Sequence, residues 1–174
     1  GHCYYCQNDM ENVCENRTAI GYEYDGGFAE YVRIPKAAIQ SNNILNIPEH
    51  ISLEDAVIAE PLACCLNGIN KANVKMNDVV VIIGGGPIGL LHVQLAKLAG
   101  AKIVILSELV GHRREKAKKA GADIVVNPNN KSLDEVILKV TDNLGADVVI
   151  TAIGVPQLLT EALRLLKKGG TLNL

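Results

Sequence analysis

A glycine-rich stretch near the middle of the chain has the spacing of a site for a nucleotide diphosphate. Gly84, Gly86 and Gly89 form the pattern G-x-G-x-x-G, with Pro87 and Ile88 between the last two glycines. In such a turn the first glycine permits a tight bend, the second lets the backbone approach a pyrophosphate, and the third lets helix and strand pack closely. The helix that follows would direct free N–H groups at the phosphates. Taken alone, the pattern also fits an ordinary tight turn, so its interpretation depends on its surroundings.

An acidic residue follows the glycines at the distance that a dinucleotide-binding site requires. Glu108 lies 19 positions after Gly89 (108 − 89), at the end of a second apolar run. A carboxylate there can bind the ribose hydroxyls of an adenosine. Because its charge would repel a 2′-phosphate, the sequence favours NAD over NADP; Ser107 and Arg113 weaken that preference without reversing it. The alternative interpretation of Glu108 is a solvated charge at the end of a strand.

A second group of reactive side chains lies at the start of the chain. Cys3, Cys6 and Cys14 have the spacing C-x2-C-x7-C. Two thiolates separated by two residues can bind one tetrahedral zinc ion, and a third from the following loop can join them in a structural site. We expect the fourth ligand immediately before Gly1, with His2 as a strained substitute inside the chain. The alternative is three free or oxidised surface cysteines.

A lone carboxylate, Glu60, lies in an apolar segment between Ala59 and Pro61. Pro61 suits the first position of a helix, and an acidic residue beside it stabilises the helix N-terminus. A carboxylate enclosed by apolar residues otherwise needs a partner or a metal ion. From the residues alone, Glu60 is equally well interpreted as a helix-capping charge or as a functional group.

Apolar patterning predicts the elements that must position these residues. Residues 79–83 are an apolar, mostly β-branched run that predicts a buried strand, and the apolar spacing after Gly89 predicts a helix that ends at Gly100. The chain then continues with further predicted strands at 103–108, 124–126, 147–150 and 171–174, and helices at 112–120, 132–143 and 156–166. Strands that alternate with helices predict a doubly wound parallel α/β sheet, here with five of the usual six strands.

The region before the glycine turn has weaker signals. Residues 20–40 alternate around a turn at 25–27, which predicts a β-hairpin or a pair of short strands, closed by Pro35. Ser52 and Asp55 have the spacing of a capping box and predict the start of a helix. No other chemistry is indicated in this region.

The composition excludes several classes of function. The 174 residues are 48% hydrophobic and 21% charged, with a net charge of −2, which is typical of a globular protein and argues against nucleic-acid or membrane-surface partners. No apolar run approaches the roughly 20 residues of a membrane span, and no signal peptide opens the chain. We therefore expect a cytoplasmic protein.

Five segments resemble, in this order, the zinc-dependent medium-chain alcohol dehydrogenases, above all the branch that acts on sorbitol and other polyols and on L-threonine. They are CYYCQNDMENVC, DGGFAEYV, AEPLACCLNG, GGGPIG and GADVVITAIG, and together they span essentially the whole chain. The resemblance implies that residues 1–55 are the C-terminal part of a β-rich, GroES-like catalytic domain with a structural-zinc lobe. It implies that residues 56–174 are an NAD-binding Rossmann domain, incomplete at its C-terminal end, in an internal segment of a longer protein.

The same resemblance implies roles for the residues named above. Cys3, Cys6 and Cys14 match three of the four cysteines that hold structural zinc. Glu60 matches the acid that this branch places beside the catalytic zinc, as a ligand or through water. The residues that match the cofactor site are Gly84, Gly86, Pro87, Ile88, Gly89, Glu108, Arg113, Ile153 and Gly154. Glutamate at 108 replaces the family's commoner aspartate.

The activity implied by the resemblance is oxidation of a secondary alcohol, in a polyol or a 3-hydroxy amino acid, to a ketone by hydride transfer to NAD. Zinc would polarise the substrate oxygen, and the parent protein would be a homo-oligomer, a dimer or a tetramer. The family's catalytic cysteine and its His-Glu zinc pair are absent from the chain, so we expect the segment alone to be inactive. Two alternatives remain open: a zinc-free NADPH quinone reductase relative, against which the cysteines and Glu108 speak, and a non-catalytic NAD-binding module.

Overall fold

The computed structural model describes residues 3–174, and the chain divides into two compact units. The first unit extends to Leu53 and the second runs from Glu54 to Leu174. The boundary expected from the sequence, between residues 55 and 56, stays a prediction. The helices of the first unit are two short 3-10 helices, Cys6–Asn8 and Glu11–Val13, and the α-helix α1 (Lys36–Gln40).

The prediction of a β-hairpin or a pair of short strands over residues 20–40 is wrong. In the described part of this segment, strand-like pairing is limited to an isolated bridge between Ile20 and Tyr24, and α1 occupies the end of the predicted hairpin. Phe28 and Tyr31, whose alternation suggested a strand, are exposed. A two-stranded hairpin is marginally stable unless a third strand or a packed face supports it. Because these side chains bury nothing here, the segment forms turns, and residues 3–53 are not β-rich.

A long helix leads into the second unit. The short helix α2 (Leu53–Ala56) begins directly after Ser52, as the capping-box spacing predicts, and α3 (Ala59–Ala72) follows it. Pro61 is the third residue of α3 rather than the first. This position is still compatible with proline, because N–H groups in the first turn have no acceptor within the helix.

The second unit is built on one parallel sheet, and this part of the sequence-based prediction is confirmed. The strands lie in the order β3-β2-β1-β4-β5, and every neighbouring pair is parallel. At its centre, Val81 pairs with Ile105 on one side and with Val149 on the other. The strands are β1 (Val79–Ile83), β2 (Ile103–Ser107), β3 (Ile124–Val126), β4 (Ala146–Thr151) and β5 (Leu166–Asn173).

Helices connect the strands and cover both faces of the sheet. Successive side chains of a strand point to opposite faces, so alternate residues of β1 enter two separate cores. Val80 and Ile82 pack in one core with α3 and α4 residues, whereas Val79, Val81 and Ile83 pack in the other with α6 and α7 residues. The helices are α4 (Pro87–Leu98), α5 (Gly111–Lys119), α6 (Leu133–Val140) and α7 (Pro156–Arg164).

The last strand begins earlier than the sequence indicates. β5 starts at Leu166, the last residue of the predicted helix 156–166, and it includes the glycine pair 169–170 that lies before the predicted strand 171–174. The reason is the neighbouring strand: a Cβ on Gly170 would lie 2.9 Å from the carbonyl oxygen of Ala146. Glycine therefore lets the two backbones approach, and close pairing with β4 overrides the local signal.

Among residues 3–174, no helix has the length and apolar character needed to cross a membrane.

Candidate functional site

The glycine turn between β1 and α4 is tight, and two of its glycines are required by close contacts. Gly84 has a φ of +105°, and a Cβ there would lie 2.7 Å from Cγ2 of Ile153. A Cβ on Gly89 would lie only 1.9 Å from the carbonyl oxygen of Gly84. Among the described residues, nothing lies within 4 Å of a Cβ built on Gly86. The space beside Cα of Gly86 at the start of α4 is therefore open, so a diphosphate could approach the backbone there.

Glu108 lies directly after β2 and turns back towards this glycine turn. Its Oε2 accepts a hydrogen bond from the N–H of Gly85 at 2.7 Å, and its Oε1 accepts one from the N–H of Val110 at 2.8 Å. The side chain is 8% exposed, and Arg113 Nη1 lies 3.9 Å from Oε2. The carboxylate is thus buried, oriented by two backbone donors and adjacent to one guanidinium.

The environment of Glu108 favours its charged form. Burial alone would raise the pKa of this carboxyl, but the N–H groups of Val110 and Gly85, followed by the charge of Arg113, outweigh burial and lower it. A carboxylate stabilised in this way is ionised at neutral pH. Glu108 therefore carries a negative charge inside the cavity described next.

A cavity of about 650 Å³ brings together predicted residues from three separate strands. Gly84 follows β1, Glu108 follows β2 with Arg113 close behind it, and Ile153 follows β4; all four line this cavity. A second cavity, of about 490 Å³, is lined by Ile88, Ile153 and Gly154. Because β2 and β4 flank β1 on opposite sides, both cavities lie where the strand order reverses, which is the usual ligand position of a doubly wound sheet.

Three residues at this site escape the sequence analysis. Gly85 and Val110 donate the backbone hydrogen bonds to Glu108, and Arg114 donates from Nη1 to the carbonyl oxygen of Glu108 at 3.0 Å. Arg114 thereby holds the loop after β2, while its neighbour Arg113 faces the carboxylate. Backbone donors carry no signal in the sequence, and two adjacent arginines cannot be told apart by spacing.

The three cysteines of the first unit converge on one point. Sγ of Cys3 lies 3.6 Å from that of Cys6 and 3.8 Å from that of Cys14, and all three sulfurs lie within 4.8 Å of one another. A tetrahedral zinc ion with bonds of about 2.3 Å separates its sulfurs by about 3.8 Å, so these residues fit three positions of such a site. His2, the predicted substitute for the fourth ligand, lies outside the described residues.

The surroundings shift the pKa values of two of these thiols, Cys3 and Cys6, in opposite directions. Hydrogen bonds from the backbone at Cys6 and Glu15 lower the pKa of Cys3 to about 7, whereas the adjacent Cys14 sulfur raises the pKa of Cys6. A metal ion needs thiolates as ligands. The lowered pKa of Cys3 therefore favours the thiolate form that a metal ion would bind.

Glu60 is exposed in the first turn of α3, not enclosed by its apolar neighbours. One helical turn later, Cys64 donates a hydrogen bond from Sγ to Oε1 of Glu60 at 3.4 Å, and this contact raises the pKa of the Cys64 thiol. The next residue, Cys65, is buried, and its Sγ lies 3.9 Å from the carbonyl oxygen of Ile88 at the start of α4. Helix α3 is thus packed close to the glycine turn, while a role for Glu60 in catalysis stays a prediction.

Two known families match this chain. Residues 87–174 match the zinc-binding dehydrogenases, and residues 1–49 match the alcohol dehydrogenase GroES-like domain.

Individual relatives match over almost the whole chain. L-threonine 3-dehydrogenase of Pyrococcus horikoshii is 36% identical over 100% of the chain and 48% of its own length. D-arabitol-phosphate dehydrogenase of Enterococcus avium is 36% identical over 98% of the chain and 47% of its length, and sorbitol dehydrogenase of Halalkalibacterium halodurans is 33% identical over 98% and 48%. The chain thus spans about half the length of the curated relatives it matches.

Solved structures with this fold include complexes of both nicotinamide cofactors. A zinc-binding dehydrogenase from Sinorhizobium meliloti bound to NADP has a TM-score of 0.88, with 42% identity over 99% of this chain and 49% of that one. An E. coli alcohol dehydrogenase complexed with NADH also has a TM-score of 0.88, with 34% identity over 99% and 49%.

Proposed function

Because the chain belongs to the zinc-binding dehydrogenases, we propose that the protein carrying it oxidises a secondary alcohol to a ketone with NAD as hydride acceptor. The observation that carries this proposal is the buried, ionised carboxylate of Glu108 beside the glycine turn. We propose a polyol or a 3-hydroxy amino acid as the substrate, because relatives at 33–36% identity are named for threonine, sorbitol and arabitol phosphate.

The choice of NAD rests on this chain's own residues, since one similar structure holds NADH and another NADP. A 2′-phosphate would bring about two negative charges to a site that already holds an ionised carboxylate. Both oxygens of Glu108 keep free lone pairs beyond their single backbone hydrogen bonds, so they can also accept from ribose hydroxyls. Arg113 partly offsets the repulsion, but its side chain is 49% exposed and therefore screened by solvent.

The glycine turn would bind the rest of the cofactor. In the described chain no side chain caps the start of α4, so its first N–H groups are available to a diphosphate. Gly86 leaves room for that approach, and Pro87 sets the backbone of the first helical residue. We propose that Ile88, Ile153 and Gly154, which line the neighbouring cavity, contact the remainder of the dinucleotide.

Two zinc sites belong to the proposal. Cys3, Cys6 and Cys14 would hold a structural ion, for which their sulfur spacing fits. Zinc in a catalytic site supplies a Lewis acid that lowers the pKa of a bound alcohol. Glu60 would contribute a carboxylate to that site, and its exposure in the described chain leaves the carboxylate accessible.

We also propose that the intact protein is a homo-oligomer.

The test is an assay of the intact protein with sorbitol, threonine and arabitol phosphate, each with NAD+ and NADP+, together with its zinc content. We expect NAD+-dependent oxidation of at least one substrate and two zinc ions per chain. The Glu60→Ala variant should lose activity and keep the structural zinc. A protein that binds NAD+ and oxidises no alcohol would instead be a binding module, and NADPH-dependent quinone reduction without zinc would identify the reductase alternative.

A further inference from the structure

We propose that Gly85, which lies between the first two glycines of the pattern, positions the carboxylate of Glu108 and thereby strengthens the preference for NAD over NADP. This inference rests on the proposed use of a nicotinamide cofactor. Gly85 has no place in the G-x-G-x-x-G pattern, where its position accepts any residue.

The side chain of Glu108 occupies the space that a side chain on residue 85 would need. A Cβ built on Gly85 would lie 2.9 Å from Cγ of Glu108, 3.1 Å from its Cβ and 3.1 Å from its Oε2. These are the three nearest heavy atoms, and all belong to Glu108. Two of them lie near the root of the side chain, so a small rotation of the carboxylate alone would not relieve the contact. A methyl group at 85 must therefore shift the Glu108 side chain from its Cβ outwards, and not its carboxylate alone.

Displacement would also break a hydrogen bond. The N–H of Gly85 donates to Oε2 at 2.7 Å, while the N–H of Val110 donates to Oε1 at 2.8 Å. With one donor on each oxygen, the plane of the carboxylate is defined before any ligand arrives. Preorganised acceptors lose less freedom when a ribose binds than mobile ones do. Without the Gly85 contact, Oε2 of Glu108 loses the N–H that holds it against the glycine turn, and the carboxylate can rotate away from it.

Gly85 differs from the glycines around it in what it tolerates. Gly84 has a positive φ, and Gly89 would clash with backbone, so alanine at either position distorts the turn itself. Gly85 is not among the residues with positive φ. Its nearest obstacles are atoms of Glu108 rather than backbone. Gly85→Ala is therefore a probe of the pose of Glu108 more than of the fold.

The experiment measures dissociation constants of NAD+ and NADP+ for the intact protein in four forms: wild type, Gly85→Ala, Glu108→Ala and the double variant. We expect Gly85→Ala to weaken NAD+ binding about tenfold while NADP+ binding changes little, as loss of a hydrogen bond to a charged group predicts. In the Glu108→Ala background, adding Gly85→Ala should leave the ratio of the two constants unchanged. Thermal unfolding of each variant confirms that it is folded.

A matched control is Gly111→Ala. Among residues 3–174, the one atom near its Cβ would be Nη2 of Arg114, at an ordinary contact distance of 3.7 Å, so the ratio should stay that of the wild type. Equal weakening of NAD+ and NADP+ by Gly85→Ala, or the same change of ratio without Glu108, would overturn the positioning role. A wild-type protein that binds neither cofactor would overturn the proposed function and this inference together. Binding of NAD+ with an unchanged ratio in Gly85→Ala overturns only the inference.

Discussion

Carboxylates accept backbone N–H groups at both ends of the parallel sheet, but their surroundings differ. At the carboxyl end, Glu108 accepts from the N–H of Gly85, and its nearest cation, Arg113, lies 3.9 Å away. At the amino end, Asp123 accepts from the N–H of Val104 at 2.7 Å and pairs with Lys97 at 3.0 Å.

Asp147 repeats the arrangement of Asp123. It accepts from the N–H of Val79 at 2.8 Å, tying β4 to β1, and forms an ion pair with Lys167. Both amino-end carboxylates have a direct lysine partner, and neither lines either of the two cavities. Glu108 lines the larger one, and no cation lies in direct hydrogen-bond contact with its carboxylate among the described residues. The comparison indicates that the amino-end acids join strands, whereas the carboxyl-end acid is available to a ligand.

The largest effect is expected at the glycine turn of the carboxyl end. Gly89→Ala would place a Cβ 1.9 Å from the carbonyl oxygen of Gly84, a contact that backbone cannot relieve without moving α4 away from β1. We expect the free energy of unfolding to fall by about 3 kcal/mol or more, measured by urea denaturation. Gly86→Ala, which has open space, is the control and should stay stable. An unchanged urea midpoint in Gly89→Ala would show that the turn is not constrained as described.

The next effect separates binding from stability at Glu108. Glu108→Gln keeps the shape of the side chain but removes the charge and one acceptor oxygen. NAD+ affinity should fall about tenfold, because hydrogen bonds to a charged acceptor are worth more than neutral ones, and the preference over NADP+ should largely disappear. Titration with both cofactors measures the change. The control is Asp123→Asn at the opposite end; equal loss of NAD+ affinity there would remove the distinction between the two ends.

At the amino end of the sheet we expect a substitution to lower stability and to leave cofactor binding unchanged. Asp147→Ala leaves the buried N–H of Val79 without its acceptor and Lys167 without its partner. The free energy of unfolding should fall by about 1–2 kcal/mol, the usual cost of an unsatisfied buried donor, with NAD+ affinity unchanged. Denaturation of the sample measures the change in stability, and cofactor titration of the same sample measures the NAD+ affinity. Weakened cofactor binding in a variant of undiminished stability would contradict the assignment.

The smallest effect concerns a titratable group in the core between the two ends. His92 on α4 is 6% exposed, and its Nδ1 has no hydrogen-bond partner among the described residues. Burial lowers its pKa in the folded state. The unfolded chain, with a pKa of about 6.5, therefore binds the proton first. The stability that depends on His92 is complete above that pH and is lost as the pH falls through the folded pKa.

Denaturation of wild type and His92→Leu at pH 7.5 and at pH 5 measures this contribution. The wild type should lose more stability on acidification than the variant, by up to about 1.4 kcal/mol for each pH unit within the window. If wild type and His92→Leu lose the same stability, His92 does not titrate in this range.

Local patterning was sufficient for most of the alternating strands and helices of the second unit, since β1 to β4 are short apolar runs. Helix α5 buries only Ala117 among its described residues, so its place between two apolar strands, rather than an apolar face, indicated it. Local patterning failed where contact with a segment distant in the sequence determines the secondary structure. The alternation around Phe28 predicted a hairpin, but no neighbouring strand packs on it in residues 3–53, and the segment forms turns. The pattern predicted a last strand at 171–174, after the glycine pair 169–170, yet pairing with β4 extends β5 back through that pair to Leu166.

The sequence by itself determined which residues could bind a cofactor or a metal ion. The order of residues alone contains the G-x-G-x-x-G pattern, the acid 19 positions after it and the three spaced cysteines. Only the tertiary structure decided how they act. The orientation of Glu108 depends on the N–H groups of Gly85 and Val110, and the exposure of Glu60 depends on what packs around α3. Backbone donors and burial arise when distant segments meet, so no local pattern of side chains encodes them.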